Sequence, residues 1–186
     1  QMRGEMQVIY HEGYKGVRYA IQSADEDFRI YDPVEDQGEE NNLAGSSEYF
    51  EDLQQQMKDR VLRLRRPNAS AQRPYDSIPV PALASVSSPE PGLAFRTFSA
   101  ATPWTPLIAS LAVDPASTGV TENFDGLSSE DGNVVEFSGL LEVPQTAKYV
   151  FYLQAEGGAV LRLHEATLID ADKMYTSGSA VSAEIM

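Results

Sequence analysis

Basic side chains cluster early in the chain, where His11, Lys15 and Arg18 surround the glycines Gly13 and Gly16. Cations near an anionic group both steer and hold it through charge-assisted hydrogen bonds. The plainer reading makes Lys15 a solvated hairpin residue and Arg18 an ion-pair partner of Asp27 or Asp32; short patterns of this kind favour it. Far downstream, Glu156 and Asp170 offer carboxylate oxygens to a ligand's hydroxyls, although acids on turns are ordinarily solvated. Asp170 and Asp172, with Lys173 beside them, read as a surface group. His11 and His164 lack the spacing of zinc ligands. There is no cysteine, hence no disulfide framework and no thiolate metal site. Glu136 and Glu142, the acid pair an autonomous hydrolase would need, fall on one solvent-facing side of a strand with nothing to raise a pKa. No Gly-rich phosphate loop and no nucleophile–base arrangement is present. These residues point to binding: the candidates are His11, Lys15, Arg18, Glu156 and Asp170, with no catalytic set and no metal site.

Charge narrows the partners. The chain of 186 residues carries a net charge of −14, distributed as −5 over 1–67, −1 over 68–92 and −8 over 93–186. No part has the basic field that a phosphate backbone requires, which excludes nucleic acid. The same acidity repels a sulfated polysaccharide at long range, so a glycan contact must be short-range, through hydroxyls, aromatics or a bound cation. No apolar run is long enough for a transmembrane segment, and Gln1 to Glu5 is not followed by the apolar core of a signal peptide, which in an internal piece is expected further upstream.

The elements that position these residues fall into two units and a connector. In 1–67, Met6 to Tyr10 and Val17 to Gln22 are β-branched and aromatic runs separated by a glycine-containing loop, and Phe28 to Tyr31 gives a third strand. Ser46 or Ser47 can cap a helix with acids in its first turns and arginines in its last. Phe50, Leu53, Met57, Val61 and Leu64 step along one face of it, and Pro67 stops the run. Residues 68–92, with Pro74, Pro79, Pro81, Pro89 and Pro91, read as a semi-rigid linker. Ile78, Val80, Leu83 and Val86 allow it to lie down on a neighbouring surface. From Leu93 the chain is all-β, with alternation over Asn133 to Val143, Tyr149 to Leu153, Val160 to Leu163 and Val181 to Ile185, and a short strand at Leu168-Ile169. The fold class is therefore mainly β: a small α+β unit of antiparallel strands plus one helix, followed by a β-sandwich.

Two resemblances carry this further. Arg18, Tyr31, Asp32, Asp36, Glu40, Asn42 and Leu43 match the strand, strand and acidic-turn pattern of the C-terminal subdomain of the type I, formylglycine-dependent sulfatases; Gln37 departs from the family's usual proline. Phe137 to Pro144, Tyr149 to Leu163 and Leu168 to Asp170, with Trp104 as the family's early tryptophan, are similar to the PA14 domain, a β-sandwich that binds carbohydrate in many members and serves as a scaffold in others. The first resemblance implies the non-catalytic C-terminal region of a secreted or periplasmic bacterial sulfatase acting on sulfated glycans. Its partners would be an upstream catalytic domain and a polysaccharide, and the parent's divalent cation, calcium, would be bound outside this chain. The formylglycine motif is missing: Ser77-Ile78-Pro79-Val80-Pro81 has Pro81 where the motif needs arginine. The second resemblance implies a carbohydrate-binding module. Glu156-Gly157 stands where the family's calcium-binding members pair two aspartates, which leaves that calcium site incomplete, and His164-Glu165-Ala166 stands where the family pattern has "i-D-G". The family also continues past a strand like Val181 to Ile185 with one more strand. Without it an edge is left unpaired, and unpaired edges recruit other strands. Either the two units pack on each other through the linker, or the chain self-associates. The alternative to sugar binding is a purely structural or protein-interaction module.

The isolated chain is expected to release no sulfate from an aryl sulfate above a heat-inactivated control; turnover by residues 1–186 contradicts the sequence reading.

Overall fold

Strand β1 (Met6–His11) pairs antiparallel with β2 (Tyr14–Tyr19), and β3 (Arg29–Tyr31) adds to the other edge of β2. These elements belong to a computed structural model, which describes residues 5–66, 70, 72–83, 85–100, 102–124, 133–172 and 178–185. The β1–β2 loop is tighter than its sequence suggests. Only Glu12 and Gly13 form it, at φ of 49° and 87°, the two left-handed positions that match a hairpin's twist. Shortening the loop moves β2 forward to Tyr14. The strand then stops at Tyr19, because Ala20 turns to φ 52°, so Ile21 is buried beyond it as a loop residue.

Helix α1 (Glu48–Leu64) crosses this sheet. Ser47 is its N-cap in extended backbone, but its side chain makes no capping bond; Glu48 and Glu51 in the first turn and Arg63 in the last suit the dipole. Leu53, Met57 and Val61 enter the core with Ile9, Phe28 and Ile30. Leu64, expected on the same stripe, is exposed past the end of the short sheet. Leu62 is buried instead, near the chain that returns past the helix, where Arg63 donates to the carbonyl of Ala82 at 3.3 Å.

Residues 72–83 do more than connect. Tyr75 is fully buried in the first core. Arg65, just after α1, donates to the carbonyls of Tyr75 and Ile78, and Arg73 donates to that of Arg66 at 2.7 Å. Val80 reaches the other core, built on Leu168, Ile169, Ala171 and Ile185.

That second core lies under antiparallel pairs. Strand β4 (Leu93–Ser99) is flanked by β5 (Ser117–Thr121) and β6 (Asn133–Ser138); β7 (Tyr149–Gln154) pairs with β10 (Ala180–Ile185), and β8 (Ala159–Leu163) with β9 (Ala166–Ala171). Among the described residues the molecule is mainly β with one α-helix, as its alternation predicts. Two details differ. Strand β5 carries too little hydrophobic alternation to be read from sequence. And β6 ends at Ser138 rather than Val143, because its partner runs out: Ala94 faces Ser138 and β4 begins one residue earlier. Leu140, Leu141 and Val143 are consequently exposed.

Gly16 sets the distance between sheet and helix. A Cβ there would lie 2.6 Å from Met57 Sδ, 3.0 Å from Ile9 Cγ2 and 3.2 Å from Phe28 Cδ1. Gly16→Val should therefore lower the stability of the first unit by about 1–3 kcal/mol, the range for overpacking a filled core, as measured by denaturant unfolding. An unchanged midpoint would show that the helix does not rest on this contact.

Candidate functional site

Of the basic candidates, Lys15 and Arg18 sit on opposite faces of β2. Lys15 shares its face with Tyr10 and Tyr31 across the strands and is engaged by Glu39, whose hydrogen bond and charge raise its pKa. Arg18 points to the helix side and is 3% exposed. Its guanidinium donates to Gln7 Oε1 at 2.8 Å and to the carbonyls of Ala24 and Glu26 at 2.8 and 2.7 Å. It also lies 4.4 Å from the centre of the Phe28 ring. Burial lowers its pKa. The partners are thus backbone carbonyls and an amide, not Asp27 or Asp32: Asp27 binds Lys58 at 2.7 Å, and Asp32 Oδ1 accepts from Val34 N and Glu35 N. The geometry does not bring Lys15 and Arg18 to one anion.

His11 lies at the end of β1, with Nε2 2.9 Å from Gln56 Oε1 and Nδ1 3.2 Å from Arg60. Arg60 is the residue that sequence reasoning missed. It donates to the carbonyl of Tyr10 at 2.7 Å and, through Nε and a terminal nitrogen, to Glu165 Oε2 at 3.0 and 2.6 Å. Glu165 and His164 form the two-residue β8–β9 turn, with His164 at φ 51°. His164 titrates below its usual value because it is desolvated and Arg63 is near. His11 thus belongs to a junction between the two units.

Among the acidic candidates, Glu156 lies on the exposed β7–β8 turn and Asp170 on the exposed side of β9. The organising acid is Asp172, which sequence analysis had placed on the surface. It is half-buried, and its Oδ1 accepts from Thr105 N at 2.9 Å and Thr105 Oγ1 at 3.1 Å. Asp170 Oδ1 in turn accepts from Asp172 N at 3.3 Å. A Cβ on Gly158 would come within 2.5 Å of that same Asp172 oxygen, so the glycine turn seats directly on the anchor. Trp104, next to Thr105, is 64% exposed. Lys173 lies outside the described residues.

A shallow groove beside α1, bordered by Asp27, Arg29, Asn42, Gln54 and Lys58, has walls already committed to one another: Gln54 brackets Phe28 through its N and O, and Asn42 Oδ1 accepts from Ile30 N. Among the described residues no group of three or more His, Cys, Asp or Glu could hold a metal ion, and no helix is long and apolar enough to cross a membrane. A family model described as the PA14 domain matches residues 89–185. No curated protein and no solved structure matches the chain.

Tyr75 closes the cage around Arg18 and supplies a pH test. Its hydroxyl donates to Glu5 Oε1 at 2.8 Å and accepts from Gln7; burial first, then the bond to Glu5, push its pKa from 10.0 to about 12. The folded state holds this proton where the unfolded chain releases it. The contribution is thus complete below pH 10.0 and is lost as pH rises to about 12. Relative to Tyr75→Phe, the wild-type chain should lose on the order of 2–3 kcal/mol across that window, followed by urea unfolding at stepped pH. Parallel pH profiles would refute the cage.

Proposed function

The chain belongs to the PA14 domain family, which covers residues 89–185, and we propose that it is a carbohydrate-binding module joined to the non-catalytic C-terminal region of a secreted bacterial sulfatase. The family match carries the first half of this reading, since PA14 domains often act in carbohydrate binding. The second half rests on the sequence resemblance of the first unit, whose matching residues make turn contacts. Asp36 takes the backbone N–H groups of Glu40 and Asn41 at 3.1 and 2.8 Å, which depress its pKa. Asn42 Oδ1 takes those of Ile30 and Ala44 at 2.9 and 3.2 Å. Such residue types satisfy buried and turn backbone groups, a scaffolding role that fits a subdomain supporting chemistry located elsewhere. In this reading the first unit docks on an upstream catalytic domain that acts on sulfated glycans, with calcium held there, and the second unit binds glycan through uncharged sugar units nearby.

A structural role without sugar binding is favoured by one observation. The β8–β9 turn, where the sugar-binding members have "i-D-G", is occupied by the Glu165 contact to Arg60.

The purified chain on an array of neutral and sulfated glycans separates these readings. Binding to a defined glycan set, unchanged by EDTA because Glu156-Gly157 replaces the paired aspartates, is the expected result. Loss of binding on chelation would contradict the calcium-free site, and absence of binding to every glycan would leave the spacer reading.

A further inference from the structure

The geometry points to Trp104 as the stacking platform of a calcium-independent site for a neutral pyranose, an inference that rests on the carbohydrate-binding reading above and deepens it. Trp104 is the chain's single tryptophan, and most of its surface is open to solvent. An exposed indole is commonplace on a mobile loop. This one is held from several directions. Pro103 and Pro106 restrict the backbone on either side and confine Thr102 and Thr105 to extended conformations, and Pro106 is buried. Thr102 Oγ1 donates to the carbonyl of Trp104 at 2.7 Å. Thr105 is fixed twice by Asp172 Oδ1, through its N–H and its hydroxyl. The β7–β8 turn packs on the same oxygen at Gly158, where no side chain fits.

This arrangement fixes the backbone of the largest aromatic side chain before any ligand arrives, and such preorganisation removes ordering cost from binding. The acidity of the unit that carries it selects the ligand's chemistry. Asp170 and Asp172 are joined by a hydrogen bond, Glu156 precedes the glycine turn, and the segment 93–186 has an excess of eight negative charges. A pyranose offers a C–H face to the indole and a rim of hydroxyl donors to carboxylate acceptors. A sulfated or carboxylated sugar would meet like charge. The site therefore takes an uncharged sugar unit, with Asp172 acting as a positioning residue that sets the Trp104 loop against the turn.

Because Trp104 is the only indole, intrinsic fluorescence reads it directly. The full chain is titrated with manno-, xylo-, gluco- and galacto-oligosaccharides and with their sulfated counterparts, in EDTA. Calorimetry follows wild type, Trp104→Ala and Trp104→Phe. Circular dichroism confirms the fold of each variant, which removal of an exposed ring leaves intact. The expected result is a shift of Trp104 emission to shorter wavelength and protection from acrylamide with at least one neutral oligomer. Trp104→Ala should weaken that oligomer roughly tenfold or more, as loss of an aromatic anchor does, while Trp104→Phe retains part of the affinity. Equal calorimetric affinity in wild type and Trp104→Ala overturns this site and leaves the carbohydrate-binding reading standing. Tighter binding of the sulfated series overturns the assignment to a neutral sugar. No heat and no emission change with any oligomer overturns both the site and the reading. A ligand-free emission shift that grows with protein concentration assigns Trp104 to self-association and overturns the proposal.

Discussion

Two buried guanidiniums order the chain around themselves. Arg18 and Arg65 are each 3% exposed, and a charge so placed is costly unless hydrogen bonds compensate it. Carbonyl oxygens supply most of that compensation, Ala24 and Glu26 for Arg18, Tyr75 and Ile78 for the two terminal nitrogens of Arg65, whose Nε is buried without a partner. Each arginine therefore dictates the path of a segment that has no regular secondary structure. Arg18 folds the β2–β3 connection over the sheet. Arg65 pulls the Pro-rich stretch back along the helix and delivers Tyr75 into the first core, where its ring lies 5.8 Å from the Arg18 guanidinium. Burial lowers the pKa of both arginines, the cost that these carbonyls offset.

The junction follows from that path. Once 72–83 is fixed along α1, Val80 falls on the core of the second unit and Ala82 beneath Arg63. Arg60 can then reach the β8–β9 turn at Glu165 while holding the end of β1. The Arg60–Glu165 pair is partly exposed, and such pairs contribute little alone, about 0–1 kcal/mol. Its worth is in register: it selects one orientation of a contact that the arginine–carbonyl bonds have already brought close. The loop that carries Trp104 is organised separately, by Asp172, within the second unit.

Much of this was legible in the sequence, and the failures share a cause. Helical spacing named Leu53, Met57 and Val61, and alternation named the faces of β7 and β10, because periodicity reports an element's own geometry. Periodicity is silent about where a partner ends, which is why Leu64 and the 139–143 segment were read as packed. The arginine-rich end of α1 was read as dipole complement, yet Arg65 serves the linker's carbonyls. Arg18 was read as a ligand contact or an ion pair, since sequence displays charged partners but never backbone oxygens. Tyr75 lay hidden among prolines, in a stretch whose apolar residues suggest surface packing but not entry into a core. Near Glu156 and Asp170, the sequence singled out the exposed acids, while the acid that anchors the Thr105 loop is Asp172. The clue was available: Thr105 sits between Trp104 and a proline, a loop that needs an external acceptor.

The central claim is that Arg65 and the chain it captures make the two units move as one body. Backbone amide relaxation of the full chain measures this directly. The account predicts one overall rotational correlation time for residues of α1 and of β7 to β10 alike, and its division into two shorter times on Arg65→Met. Two independent correlation times in the wild-type chain would contradict it.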